Sequence, residues 1–274
     1  MTIDGYSQPG AVPNSNSPVE GGLNAALKIE IRAINPIGNA HFALHFNGEQ
    51  ASVVRGLAIN HYLDAQVYLS ANGAHRIEGC SLGTDITGNA AQLPSNGILI
   101  AGTGPYVIGG LLPDQRNLLS GLNIALRTSR PANDVRIQGN LIGTNAAGTA
   151  AIGNELCLLL YTISDSLIGG IDPAARTVIS GHQLQTQISG AFSGTRVLGP
   201  GCRRCVVHPL GAGGIEQALH ARTGIKAPFT QPDFLELDAA RPEAGAAELD
   251  SKVPASARIL TTSGSVARLS VEIA

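Results

Sequence analysis

The chain has no tryptophan, few aromatics of any kind (4%) and only 14% charged residues, well under the roughly 25% of an average globular domain. Its net charge is −2, and the basic residues are 15 Arg and three Lys. That balance excludes a general attraction to nucleic acid or to an anionic membrane surface. No apolar run approaches the length needed to span a bilayer, so no membrane insertion is expected. Met1-Thr2-Ile3-Asp4-Gly5 lacks the basic and apolar regions of a signal peptide. Cysteine is scarce as well: Cys80, Cys157, Cys202 and Cys205. Cys202-Arg-Arg-Cys205 has the spacing of half a zinc site, but no second pair is near it. No metal and no cofactor is therefore expected.

What the chain does contain is a repeat. Ile77-Glu78-Gly79 returns sixty residues later as Ile137-Gln138-Gly139 and, weakened, as Val197-Leu198-Gly199. Ile108-Gly109-Gly110 returns as Ile168-Gly169-Gly170, Leu118-Leu119-Ser120-Gly121 as Val178-Ile179-Ser180-Gly181, and Leu82-Gly83-Thr84-Asp85 as Ile142-Gly143-Thr144-Asn145. Short β-branched runs closed by Gly or Asn at a fixed period mark a solenoid. Each period holds six short strand candidates, which make two three-sided coils. Ile98-Leu99-Ile100, Val107-Ile108 and Leu118-Leu119 form one coil; Ile124-Ala125-Leu126, Val135-Arg136-Ile137 and Leu141-Ile142 form the next. The Gly-rich stretch from Gly143 to Asn154 reads as a protruding loop.

The pattern extends back to the first residues. Leu27, Ile29 and Ile31 alternate with Lys28, Glu30 and Arg32. Connections are too short for helical crossovers, so strands pair in parallel between successive coils. The expected fold is all-β: a right-handed parallel β-helix of about seven coils over residues 1–205, rising ~4.8 Å per coil. Residues 206–274 turn to Ala, Pro, Glu and Asp and read as a small appendage, with a short helix over 215–221 and a hairpin over 258–274.

Thr2-Ile3-Asp4-Gly5-Tyr6-Ser7-Gln8-Pro9-Gly10, the Gly-Asn-Leu-Ile-Gly-Thr run at 139–144 and the Ile-Gly-Gly runs resemble a bacterial family of secreted β-helix proteins. Precursors of that family often carry a Cys-Ser-Leu-Arg-Glu-Ala-Ile segment. The similarity covers about residues 2–200. It implies a pectate-lyase-like β-helix and a secreted or cell-surface location; the family's activity is poorly defined, so it implies a fold more than a function. The chain departs from the family in its Cys80, Leu122 and His182, where Asn is expected, in the missing upstream segment and in the repeat that dissolves after Gly199. A truncated fragment without an independent role is one reading of those departures.

Two sets of residues stand out as candidates. Arg76, Arg136 and Arg196 recur at sixty, as do Arg116 and Arg176. Strand alternation turns them outward, with two coils, ~9.6 Å, between neighbours. They form either a ladder for the carboxylate or sulfate groups of an acidic polysaccharide or a solvated face that keeps the solenoid soluble; the second is favoured. The other set is an outward apolar column, Ala43, Tyr68, Leu99, Ala125 and Leu159, predicted to carry no charge and to need a cover. The 206–274 appendage or self-association would supply one.

A polysaccharide lyase of this fold needs clustered carboxylates for calcium and a basic residue to take a proton. Asp85, Asp114, Asp134 and Asp172 fall in different columns, and Glu78 and Asp85 become Gln138 and Asn145 one period on. The expectation is a non-catalytic extracellular or surface module, structural or adhesive, that binds acidic glycans. A polysaccharide lyase or glycoside hydrolase is the alternative.

Overall fold

The structure, a computed structural model, describes residues 1–34, 40–182, 186–193, 195–198, 205–209, 221–222 and 234–235, and the side chains of 1–34, 40–182 and 195. The helix expected over 215–221 and the hairpin over 258–274 lie outside the described residues, save Ala221. Ala221–Arg222 is a strand paired antiparallel with Phe234–Leu235.

Three parallel sheets wrap one core, so the chain is a three-sided parallel β-helix. Sheet A takes seven strands in chain order: Thr2–Asp4, Ser52–Arg55, His75–Glu78, Tyr106–Gly109, Val135–Gln138, Leu167–Gly169 and Arg196–Leu198. Sheet B takes six: Ile29–Arg32, Leu57–Asn60, Ser81–Leu82, Leu118–Leu119, Leu141–Ile142 and Val178–Ile179. Sheet C runs Phe42–Phe46, Ala65–Leu69, Asn96–Ile100, Ile124–Thr128, Leu156–Ser164, Thr186–Ser193 and Cys205–Pro209, with Ala132–Asn133 pairing beside Leu156–Ser164. The chain visits A, B and C in turn on every rung, seven times.

The core is built from stacked columns. Val54, Ile77, Ile108 and Ile137 lie in direct register and are fully buried, with Ile168 next at 3% exposure. Ile59, Leu82, Leu119 and Ile142 do the same on sheet B. Burying a side chain of this size is worth about 1.5–3 kcal/mol, so identical residues one rung apart are the main source of stability.

At the corner between sheets A and B an amide ladder satisfies the backbone. The Asn117 amide donates to the Ile77 carbonyl (2.8 Å) and to Asn140 Oδ1 (3.0 Å), while its own Oδ1 accepts from Cys80 N (2.9 Å). Asn140 Nδ2 donates to the Ile108 carbonyl at 2.8 Å. Cys80 occupies the next step of the ladder, as its small size suggests: it is 2% exposed, with Sγ 3.3 Å from the Glu78 carbonyl. Burial pushes its thiol pKa up to about 12. Cys157 is buried in the column of Gly97 and Ala125.

The outer face of sheet B is covered. Its outward column includes Ala58, Ser81, Leu118 and Leu141, none more than 5% exposed. The loop expected to protrude at 143–154 lies back on this face instead, as does its counterpart from Gly83. Each loop closes through an antiparallel bridge, Thr84 to Ala91 and Thr144 to Ala151. Asp85 Oδ1 accepts from the Asn89 and Ala90 amides, and Asn145 Oδ1 from Thr149 and Ala150, at 2.9–3.0 Å. Gly88, at φ 70°, packs so closely that an added Cβ would meet the Leu118 side chain at 2.8 Å.

The cover continues into residues 5–28, a strap that sequence patterning gave no sign of. Tyr6 Oη donates to the Gly79 carbonyl (2.8 Å) and Asn14 Nδ2 to that of Pro113 (2.7 Å). Leu23 N reaches the Ala146 carbonyl, and Ala146 N the Gly88 carbonyl. The strap thus leaves the first rung and ties down turns from rungs three, four and five.

Candidate functional site

The arginine columns come out differently from one another. Arg76 and Arg136 do lie in one outward column of sheet A, two rungs apart, with Val107 between them. Each is neutralised by its own strand or turn: Arg76 pairs with Glu78 at 3.0 Å and Arg136 with Asp134 at 2.9 Å. Glu78, expected to be a tolerant surface position, is 6% exposed and engaged. Arg196 continues the column through its backbone pairing with Leu167, and its side chain lies outside the described residues.

Arg116 is a correction. It is 2% exposed, with Nε donating to the Gly139 carbonyl (3.1 Å) and Nη1 to those of Asn16 (2.9 Å) and Gly21 (3.0 Å). Strand alternation does not apply to it, because it follows the short 3-10 turn Pro113–Gln115 at the A–B corner. Burial lowers its pKa to about 10, so the guanidinium stays charged at neutral pH and clamps the strap. Arg176 follows the equivalent turn Pro173–Ala175 and is half-buried. Neither residue belongs to an outward ladder.

Carboxylates do gather at one point. Asp4, Arg55 and Glu78 share one column of sheet A. The Arg55 guanidinium lies 3.5 Å from Asp4, 3.9 Å from Glu78 and 3.4 Å from Asp114, and 5.4 Å from the centre of the Tyr6 ring. This is an ion-pair knot under the start of the strap. Among the described residues no group of three or more His, Cys, Asp or Glu is arranged to hold a metal.

Sheet C presents the remaining face, and here the register corrects the expected apolar column. Ile98 pairs with Leu126, and Leu126 with Leu158, so these three point inward. Ala125 is fully buried, not outward. The outward row is His45, Tyr68, Leu99, Arg127 and Leu159, one residue per rung. Tyr68, Leu99 and Leu159 keep their predicted places, Ala43 gives way to His45, and Ala125 gives way to a charge. The slip arises because Thr128, not a hydrophobe, stands inward opposite Ile100; its hydroxyl accepts from Tyr161 N (2.7 Å) and donates to Tyr161 O (3.1 Å).

The row begins with an aromatic cluster. Tyr68 stacks on Phe42 at 4.6 Å between centroids and on His45 at 4.7 Å. His45 Nε2 lies 2.7 Å from Ser70 Oγ, and His41 Nδ1 lies 2.8 Å from Asp64 Oδ2. Such stacked pairs are worth about 0.5–1.5 kcal/mol beyond their buried area, so the platform is preorganised. The Ser70–His45 contact has no carboxylate behind it, since Asp64 serves His41. It orients the ring.

Two rungs from Tyr68, Arg127 stands between Leu99 and Leu159. It makes no ion pair among the described residues, and its Nε is buried without a hydrogen-bond partner. An unpaired guanidinium flanked by leucines is costly unless a ligand completes it. Arg127 was missed because its neighbours read as a strand ending at Leu126. A pairing shift of two residues would have found it.

Comparison with protein-family models, with curated proteins and with solved structures returns no match to this chain. Among the described residues no helix is long and apolar enough to cross a membrane.

Proposed function

We propose that this β-helix is a non-catalytic extracellular or surface module, structural or adhesive, that binds acidic glycans on the outer face of sheet C. The observation that carries the reading is the continuous outward row from the Phe42–His45–Tyr68 platform to the unpaired Arg127. Aromatic faces carry negative potential that attracts the C–H face of a sugar ring, and a guanidinium fork takes a carboxylate or sulfate bidentately. The likeness of Thr2–Gly10 and of the 139–144 run to secreted β-helix proteins supports the extracellular setting. The engagement of Asp4, Glu78 and Asp114 with Arg55 supports a binding role over a lyase or hydrolase, which would need free carboxylates.

The test is retention on an immobilised acidic polysaccharide beside a neutral one, across a salt series. Retention should fall as salt rises, because exposed charges are screened over ~10 Å at 0.1 M, and uronic-acid polymers should stay intact on incubation. No retention on any acidic polymer, or release of unsaturated or reducing ends, would refute the proposal.

A further inference from the structure

We propose that the bound polysaccharide lies along the solenoid axis with one sugar to each rung, and that it carries its acidic group on every second sugar. This rests on the glycan-binding reading of sheet C and goes further by naming the polymer's direction and charge period.

The direction follows from the row. His45, Tyr68, Leu99, Arg127 and Leu159 occupy successive rungs at one lateral position, so the chemically distinct groups succeed one another along the axis. The rung spacing of ~4.8 Å is about the advance of one pyranose and its linkage in an extended chain. A polymer laid along the axis therefore meets one side chain of the row per sugar.

The charge period follows from what each rung offers. Arg127 supplies one cation, ~9.6 Å from Tyr68. The rungs on either side of it supply Leu99 and Leu159, which is only 9% exposed. A carboxylate held over either leucine would lose water and gain no counter-charge. The Tyr68 platform likewise suits an uncharged sugar face, since the ring face is itself negative. One acidic sugar on Arg127, with neutral sugars before and after it, fits the row best.

The experiment is calorimetric titration with oligosaccharides of equal length: hyaluronan, with a carboxylate on alternate sugars; polygalacturonate, with one on every sugar; and neutral dextran. Hyaluronan should bind about tenfold or more tighter than polygalacturonate, and dextran weakest. Arg127→Gln and Tyr68→Ala, both at outward positions, should each cut hyaluronan affinity about tenfold, with circular dichroism unchanged. Equal or tighter binding of polygalacturonate overturns the charge period while leaving acidic-glycan binding intact. Affinity that survives Arg127→Gln but falls with Arg76→Gln or Arg136→Gln overturns the choice of face. Failure of both acidic oligosaccharides to bind overturns the functional reading itself.

Discussion

Replacing Asn117 with Ala is expected to be among the most damaging single polar changes in the chain. The side chain makes three contacts across two rungs: to Ile77 O at 2.8 Å, to Asn140 Oδ1 at 3.0 Å, and from Cys80 N at 2.9 Å. The site is fully buried, so water does not replace them. An orphaned buried N–H at Cys80 costs about 1–3 kcal/mol, and the two lost donor contacts about 1 kcal/mol each. Together that is about 3–5 kcal/mol, or roughly a 10 °C fall in melting temperature for a chain of this size. Thermal unfolding followed by circular dichroism measures it, and amide exchange at Cys80 reports whether the corner has opened. A melting temperature within ~2 °C of the parent, with Cys80 still protected, would show that the ladder decorates the corner and does not hold it.

Cys80→Asn should act in the opposite sense. Cys80 faces Val54 O, which is the equivalent of Ile77 O and Ile108 O, and the Leu57 and Gly56 amides point at its sulfur. An amide there extends the ladder by one step, so the melting temperature should rise by a few degrees, for about 0.5–1.5 kcal/mol; a fall would mean that the second rung is too tight for Asn. Acid should weaken the fold through His75, which is 1% exposed between Phe46 and Tyr106. Burial first, and the Met1 ammonium second, lower its pKa. The unfolded chain therefore takes up a proton near pH ~6.5 while the folded chain stays neutral. Stability is complete above that pH and is lost as pH falls toward the folded-state pKa. The urea midpoint should drop between pH 7 and 5, less steeply in His75→Phe, and an unchanged slope would acquit His75. Arg116→Met should release the strap, seen as new proteolytic cleavage within 12–24 in an otherwise intact rod; resistance equal to the parent would show that the Asn14 and Leu23 contacts suffice.

Sheets A and B were legible because their inward positions are uniformly aliphatic and their turns carry Gly, so a fixed period translates directly into rungs. Ile77, Ile108, Ile137 and Ile168 stack as read. Sheet C was harder because one of its inward positions is polar. Thr128 satisfies its hydroxyl on Tyr161, so hydrophobicity alone placed the strand two residues early and hid Arg127 behind Ala125. Arg116 shows the opposite failure, a true sixty-residue recurrence whose side chain points inward under the strap. The strap itself carries no apolar period. It is held by side-chain amides and by carbonyls facing Arg116, and hydrogen bonds of that kind leave no pattern in a single sequence.

These outcomes bear on where a ligand can go. A three-sided solenoid has three faces, and a face is usable only if nothing in the chain already occupies it. Sheet B is closed by the loops from Gly83 and Gly143, which dock on Leu118, Leu141 and the strap. Sheet A carries charge, but Arg55, Arg76 and Arg136 each have a carboxylate within 4 Å, and an acidic polymer would have to displace it. Those exchanges gain little, since exposed ion pairs are worth about 0–1 kcal/mol to begin with. Sheet C alone combines an open face, preorganised rings and a cation without a counter-charge. The period that builds the rod therefore does not mark the site: the residue that breaks the apolar row does.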